Sequence, residues 1–476
     1  MDSPRAKKGQ GSMAESAHQK YQAQKTQQTS HTVSGRDYAR ILVPFVLSTM
    51  TQPLLGVVDT AIMGHMSDSS YIAGVAVGAV IFNTIYWLLG FLRVGSTGFS
   101  AQAGTKGSVT ELYKALLVPG CMALVLSLVL LALQGPIFGG AMLIMTLDAA
   151  TREVAWTYYS ILIWGAPLVL GNYVLLGWLM GLSRIRASLV MQMGSNFLNI
   201  ILALLFVPVL GWGVKGVALA TLIAQAFALL VGLWAAWKVL PSLPKEKAER
   251  MALLRAAMNF RDMLFMARVN ANLLLRTVCM LAQTNIFMAT ASTFGTTTLS
   301  ANAVLVQILL VFTYVFEGIA NASSVFAGKA RGGKNPALMK AVYRMTLGWT
   351  AVSGLAMTGI CLLWHTPMLS LFTDLEDVIL AASALSFWSV FFPLVSGPGL
   401  TVYGLFTGAS VTRPVFVSTL QALLAFLAVW VLAVPALGNH GLWLAYTVFY
   451  LGRSVFLLPH FGKLLAVCTP KDSKDS

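Results

Sequence analysis

The sequence predicts an all-α polytopic membrane protein: twelve transmembrane helices in two parallel six-helix lobes around a central cavity. Three observations predict this. First, 57% of the 476 residues are hydrophobic and only 10% charged, with a mean hydropathy of +0.74, whereas a soluble domain carries about 25% charged residues. Second, apolar segments of roughly 20 residues or more recur along almost the whole chain, each long enough to cross a bilayer core as a helix. Third, the chain repeats itself. "GWLMGLSRIRAS" at 177–188 returns as "GLFTGASVTRPV" at 404–415, so that Gly177, Gly181, Ser183 and Arg186 become Gly404, Gly408, Ser410 and Arg413, each 227 residues later.

In chain order, residues 1–37 are rich in Lys, Gln and Ser and lack an apolar signal-peptide core. They are expected to form a disordered cytoplasmic tail rather than a cleaved signal peptide. An N-lobe over 38–240 holds helices near 38–63, 72–100, 113–134, 154–181, 186–208 and 213–240. The polar segment 241–262 reads as a cytoplasmic linker, with a short amphipathic helix around Lys245–Met258. A C-lobe over 263–466 follows, with helices near 263–290, 298–328, 340–363, 378–408, 412–435 and 440–466, then a cytoplasmic tail over 467–476. The same 227-residue offset maps Pro208, Leu210, Gly211 and Ala218 onto Pro435, Leu437, Gly438 and Ala445. An even number of helices per half gives both halves the same orientation, and parallel repeats enclose a site around an axis along the membrane normal.

The net charge of +15 does not indicate a nucleic-acid partner. With the N-terminus inside, all but five of the 32 Lys and Arg fall in segments or helix ends on the cytoplasmic side. Arg152 and Lys215 lie outside, and Arg93, Arg276 and Arg453 lie within spans. This positive-inside bias places both termini in the cytoplasm of a multi-pass inner-membrane protein, with His65, Asp148 and Asp374 outside. Cys121, Cys279, Cys361 and Cys468 are scattered, so neither disulfide nor metal site is expected. The Gly177/Gly181 and Gly404/Gly408 pairs are read as close helix contacts.

The remaining signal is intramembrane polarity. Of the 17 Asp and Glu, only Asp59 and Glu317 lie well within spans. A carboxylate among Leu, Val and Ile costs several kcal/mol, which makes it a functional candidate. Ser48, Gln52, Gly56 and Asp59 share one stripe of the first helix, which Pro44 and Pro53 make bendable. Gln192, Asn196 and Asn199 form a stripe on the fifth helix, and Asn83 adds a lone amide to the second. Asn272, Arg276 and Gln283 line the seventh helix, while Thr313, Glu317, Asn321 and Ser324 line the eighth. Arg276 and Glu317 fall at similar depth, so they are expected to pair. Arg93 is left with Glu317 or Asp59 as partners. Arg93, Arg276, Glu317, Asn83 and Asn196 are therefore assigned to the cavity or its gates.

Several segments resemble one family. "PLLGVVDTAIMGH", "GVAVGAVIFNTIYWLLGFLRVGSTGFSAQAGTKG", "LLGWLMGLSRIRASLVMQMGSNFLNIILALLFV", "GVALATLIAQ" and "LSANAVLVQILLVFTYVFEGIA" are similar to multidrug and toxic compound extrusion (MATE) transporters, most of all the DinF branch. The resemblance covers nearly the whole chain after the tail. It implies export of organic compounds against an inward proton or sodium gradient. It also implies that Asp59 is the first-helix aspartate whose protonation is linked to bending, that Pro44 is the proline of the bend, and that Gln52 lines the cavity. Asn199 and Thr221 match the polar partners of the same N-lobe site. Two departures stand out: Ala203 occupies the place of a second aspartate, and "GKARGG" replaces the family's GQAxGA pattern.

With one carboxylate in that site, proton coupling is the expectation, because an apolar setting favours the neutral carboxyl and sodium prefers more charged oxygen ligands. The coupling ion is thus H+, with Na+ as the alternative, and no other cofactor is expected. The expected substrates are small amphipathic compounds, handled by a monomer in the bilayer. Met63, Tyr86, Trp87, Met180 and Met191 suit planar amphiphiles, and Arg93 and Arg276 admit anionic ones. A lipid or oligosaccharide flippase of the same superfamily is the closer rival. A membrane-embedded enzyme is disfavoured by the lack of HExxH, paired intramembrane carboxylates or a Ser/His arrangement.

Overall fold

The computed structural model describes residues 33–51, 69–145, 148–243 and 246–469. Every regular element among them is helical. The first helix, α1, is described over Gly35–Met50, with the Ser34 side chain accepting a hydrogen bond from the Arg36 amide at its start. Eleven further helices are long and apolar enough to span a bilayer. They are α2 (Ala73–Lys106, interrupted at Gly90), α3 (Val109–Ala132), α4 (Ala149–Gly181), α5 (Ile185–Val209), α6 (Gly213–Val239), α7 (Phe260–Ser292), α8 (Thr296–Gly332), α9 (Pro336–Ser370), α10 (Ser386–Gly408), α11 (Arg413–Leu437) and α12 (Asn439–Ala466). The linker carries a helix over Lys247–Ala257, close to the expected one. Asp59, Gln52, Gly56, Pro53, Met63, His65 and most of the N-terminal tail lie outside the described residues.

The repeat read from the sequence recurs in the backbone. Helices α3 and α9 begin at Val109 and Pro336, and α4 and α10 end at Gly181 and Gly408, again 227 residues apart. Six of the eight positive-φ residues among those described pair in the same register: Gly107 (φ 69°) with Lys334 (48°), Ser183 (58°) with Ser410 (49°), and Gly211 (68°) with Gly438 (56°). Ser183 and Ser410 close the same motif. The Arg184 amide reaches the Leu179 carbonyl and the Ser183 amide that of Met180, both at 2.9 Å. One repeat later Val411 reaches Phe406 and Ser410 reaches Thr407, at 2.8 and 2.9 Å.

Packing follows the same rule. A Cβ on Gly177 would strike the Arg93 carbonyl, and one on Gly404 would strike that of Ala320, the repeat of Arg93. Gly181 and Gly408 meet Thr97 and Ser324 in the same way. These glycines let α4 lie backbone to backbone on α2, and α10 on α8, as the spacing predicts. Equivalent helix pairs are in contact in both halves: α2 with α4 and α8 with α10, and α5 with α6 and α11 with α12. Each lobe also sends its first helix across, so that α1 packs on α8 and α7 on α2.

Candidate substrate and coupling site

Of the N-lobe triad, Asn199 and Thr221 are described and they meet. Asn199 Nδ2 donates to Thr221 Oγ1 at 3.0 Å, joining α5 to α6. The Thr221 hydroxyl donates in turn to the Val217 carbonyl at 3.1 Å. Its oxygen must therefore accept from the amide nitrogen, which fixes the orientation of Asn199. This leaves Asn199 Oδ1 buried with no hydrogen-bond partner among the described residues. Ala203, one turn further along α5, is packed against Phe206 and Ala220, so its surroundings are apolar. Directly beyond it α5 widens into a π turn over Leu205–Val209 that contains Pro208.

The neighbouring stripe is also joined by hydrogen bonds. The Ser48 hydroxyl of α1 donates to Gln192 Oε1 of α5, and Asn196 Nδ2 approaches Thr51 Oγ1 at 3.5 Å. Ser48, Thr49, Arg93, Met180, Gln192 and Asn321 line a small cleft between the lobes. Met191, by contrast, packs on Gly232 of α6, and Asn83 lies on an exposed surface of α2. Pro44 sits within α1, where it leaves one backbone carbonyl without its usual amide.

The expected pairing of Arg276 with Glu317 is not found. Glu317 pairs with Arg93, on α2 of the opposite lobe. Comparing depth along α7 and α8 missed this because α2 crosses close to α8 at the interface, a consequence of Gly98 and Gly328 rather than of helix order. Arg276 instead lies over the ring of Tyr403, 4.5 Å from its centroid. Sequence reading recorded Arg453 only as a charge within a span and did not consider Tyr403. Both border Arg276, through the α7–α12 and α7–α10 proximity that the fold creates.

Hydrogen bonds between the lobes run from the Arg93–Glu317 level toward the end where α2 and α8 finish. Thr49 Oγ1 donates to the Tyr314 carbonyl at 2.8 Å, and Tyr38 meets Ser323 at 2.9 Å and Thr346 at 3.3 Å. Gln102 Nε2 donates to the Gly408 carbonyl at 2.9 Å and to Ser410 Oγ at 2.7 Å; within the C-lobe, Arg331 holds the neighbouring Ala409 carbonyl. At the same end Lys114 joins Glu111 and Asp262 at 2.6 and 2.8 Å, tying α3 to the start of α7.

The MatE family model matches residues 44–205 and 273–431. DNA damage-inducible protein F of Escherichia coli (strain K12) is 32% identical over 90% of this chain and 92% of its own length. The probable multidrug resistance protein NorM of Bradyrhizobium diazoefficiens is 25% identical over 86% of this chain and 89% of its own. Among solved structures, a crystal structure of MATE in the bent conformation superposes with a TM-score of 0.81 at 20% identity, over 91% of this chain and 96% of that one. Family members are transporters rather than enzymes, and this chain, with its two lobes of membrane-spanning helices, belongs to the MATE family.

Proposed function

We propose that the chain is a proton-coupled antiporter that exports amphipathic organic compounds by alternating access, with Asp59 as the coupling carboxyl. One observation carries this reading: among the described residues Asn199 Oδ1 is a buried acceptor without a donor, and Asp59, which the family resemblance assigns to the same N-lobe site, is the acidic side chain that the sequence offers to it. A protonated carboxyl donates to such an oxygen, whereas a carboxylate repels it, so the amide favours the protonated state. The apolar packing around Ala203 removes the second carboxylate that a sodium shell would prefer. Protonation from outside then straightens or bends α1 about Pro44, and substrate and proton bias the same element in opposite directions. The names of relatives such as multidrug resistance proteins NorM and MdtK support drug-like substrates.

In this reading both termini face the cytoplasm of the inner membrane. The end closed by Gln102 and Ser410 is the cytoplasmic one, since Lys106, Arg184, Arg186, Lys334 and Arg413 crowd it. The test is dye efflux from proteoliposomes under proton and sodium gradients imposed separately. Efflux under the proton gradient alone is expected. Efflux that requires sodium would overturn proton coupling.

A further inference from the structure

The C-lobe holds two buried guanidinium groups that no carboxylate among the described residues neutralises. Arg453 on α12 is 3% exposed, and its Nη1 has no hydrogen-bond partner. Arg276 on α7 is half-buried with its Nε enclosed and unpartnered. The helices that carry them, α7 and α12, are in contact. Glu317, the acid on the neighbouring helix α8, is occupied by Arg93. Two turns along the same face of α7, the buried Gln283 Nε2 also lacks an acceptor. Every one of these atoms is a donor.

An arginine does not escape such a position by losing its proton. Rings offer partial compensation: Tyr403 faces Arg276 at 4.5 Å, and Tyr450 and Phe449 lie 5.5 and 5.9 Å from Arg453. They supply no hydrogen-bond acceptor for the orphaned N–H groups. Nor does the fold require these arginines. The repeat equivalents of Arg276 and Arg453 in the N-lobe are Thr49 and Ala226, at the same places in the same helix frame. Two like charges kept inside a membrane protein without packing need are the signature of a site.

We propose that Arg276 and Arg453, with Tyr403 between them and the lobe interface, form a binding site for an anionic group. Tyr403 faces Arg276 from α10, which packs on α8 and α12 of its own lobe and on α2 of the other, so the site borders the interlobe gap. A carboxylate or sulfonate on a planar amphiphile satisfies the guanidinium donors while its apolar body lies on the Tyr403, Tyr446 and Tyr450 rings. A small inorganic anion satisfies the same donors. The proposal rests on the reading of the interlobe gap as the transport path, and its test uses no ion gradient, so a failure of proton coupling leaves it standing.

The experiment is thermal melting of the full chain in dodecyl maltoside. The probes are sodium naphthalene-2-sulfonate, neutral naphthalene, the cation N-methylquinolinium, and chloride exchanged for gluconate at constant ionic strength. A saturable rise in melting temperature with the sulfonate, absent with the neutral and cationic probes, is expected in the wild type. Arg453→Met and Arg276→Met should each weaken that response at least tenfold. Without added anion both variants should melt higher than the wild type, because an uncompensated charge is gone. A rise with chloride that weakens the sulfonate response assigns the site to a small anion and also supports the proposal. Equal responses to sulfonate and naphthalene, or no response to either anion, would overturn it. So would undiminished sulfonate binding in a folded Arg276→Met, Arg453→Met double variant. If the Met variants fail to fold, the discrimination among probes by the wild type still decides.

Discussion

Asn199 and Thr221 of the N-lobe become Phe426 and Val448 one repeat later, and Asp59 becomes Ile286. In the other direction, Arg276, Tyr403 and Arg453 of the C-lobe correspond to Thr49, Leu176 and Ala226. The described backbone nevertheless repeats at the left-handed serines and the glycine contacts, and differs at the π turn that ends α5 but not α11. The frame is thus held by helix ends and close backbone approach, and it accepts either a polar or an apolar side chain at these positions. Polarity that the frame does not need is polarity kept for another purpose. Among the described residues the N-lobe leaves the acceptors Asn172 Oδ1 and Asn199 Oδ1 open, while the C-lobe leaves open the donors of Arg276, Gln283 and Arg453 together with one amide acceptor, Asn270 Oδ1. The proposed coupling carboxyl belongs to the N-lobe sequence and the proposed anion site to the C-lobe.

The sharpest way to break this comparison is to disable one lobe and watch the other. Asp59→Asn keeps size and hydrogen-bonding capacity but fixes the group neutral. Proton-driven efflux should fall to the level of empty vesicles at equal membrane expression, with melting temperature unchanged or raised, since removing a buried charge relieves its desolvation cost. Naphthalene-2-sulfonate binding should persist. Wild-type efflux by the Asn variant would leave Asp59 as a structural residue and erase the functional distinction between lobes.

A second test addresses the Arg93–Glu317 ion pair, which joins the lobes at mid-depth. Arg93 and Glu317 have Ala320 and Gly90 as their repeat equivalents, so this bridge exists on one side of the pseudo-two-fold axis only. Both side chains are largely shielded, at 17% and 23% exposure. Glu317→Gln should destabilise by about 3 kcal/mol by stranding Arg93, and adding Arg93→Met should recover much of that loss. Additive losses in detergent melts would mean that the two do not depend on each other. Combining Glu317→Gln with Arg276→Met should show no such recovery.

How much of this was legible beforehand differs between frame and site. Span number, the repeat register and the glycine contacts were readable because hydropathy and small-residue spacing are local and repeat every 227 residues. The Asn199–Thr221 bond was reachable only through family resemblance, since hydropathy says nothing about which amide meets which hydroxyl. The partner of Glu317 was misassigned because depth along a helix does not give rotation about its axis. The α2–α8 contact that delivers Arg93 depends on Gly98 and Gly328 approaching Gly408 and Ala101. Arg453 was visible as an intramembrane charge, but Tyr403 carries no sequence signal that separates it from an ordinary packed tyrosine.

The shared frame makes its own prediction, of intermediate size. Gly404→Ala places a methyl group against the Ala320 backbone, and Gly177→Ala one against that of Arg93. Backbone cannot swing aside as a side-chain tip does, so each should cost about 2 kcal/mol in detergent melts. The comparison requires the two losses to be alike. A large loss in one lobe with none in the other would show that the two halves are stabilised differently despite their common register.

The smallest effect tests the same symmetry from the stabilising side. Ser183 and Ser410 hold φ of 58° and 49°, where the Cβ crowds the backbone and an ordinary residue pays about 1 kcal/mol. Glycine removes that crowding but adds freedom to the unfolded chain, which offsets roughly half of the gain. Ser183→Gly and Ser410→Gly should therefore each stabilise by about 0.5 kcal/mol. The Ser410 hydroxyl has one further duty: it accepts from Gln102 Nε2 at 2.7 Å across the lobe interface, whereas Ser183 Oγ is buried without a partner. Ser410→Gly should thus gain less than Ser183→Gly, by the worth of that single bond, and the difference should vanish in a Gln102→Ala background. Equal gains in the wild-type background would show that the Gln102 contact adds nothing to closure at this end of the molecule.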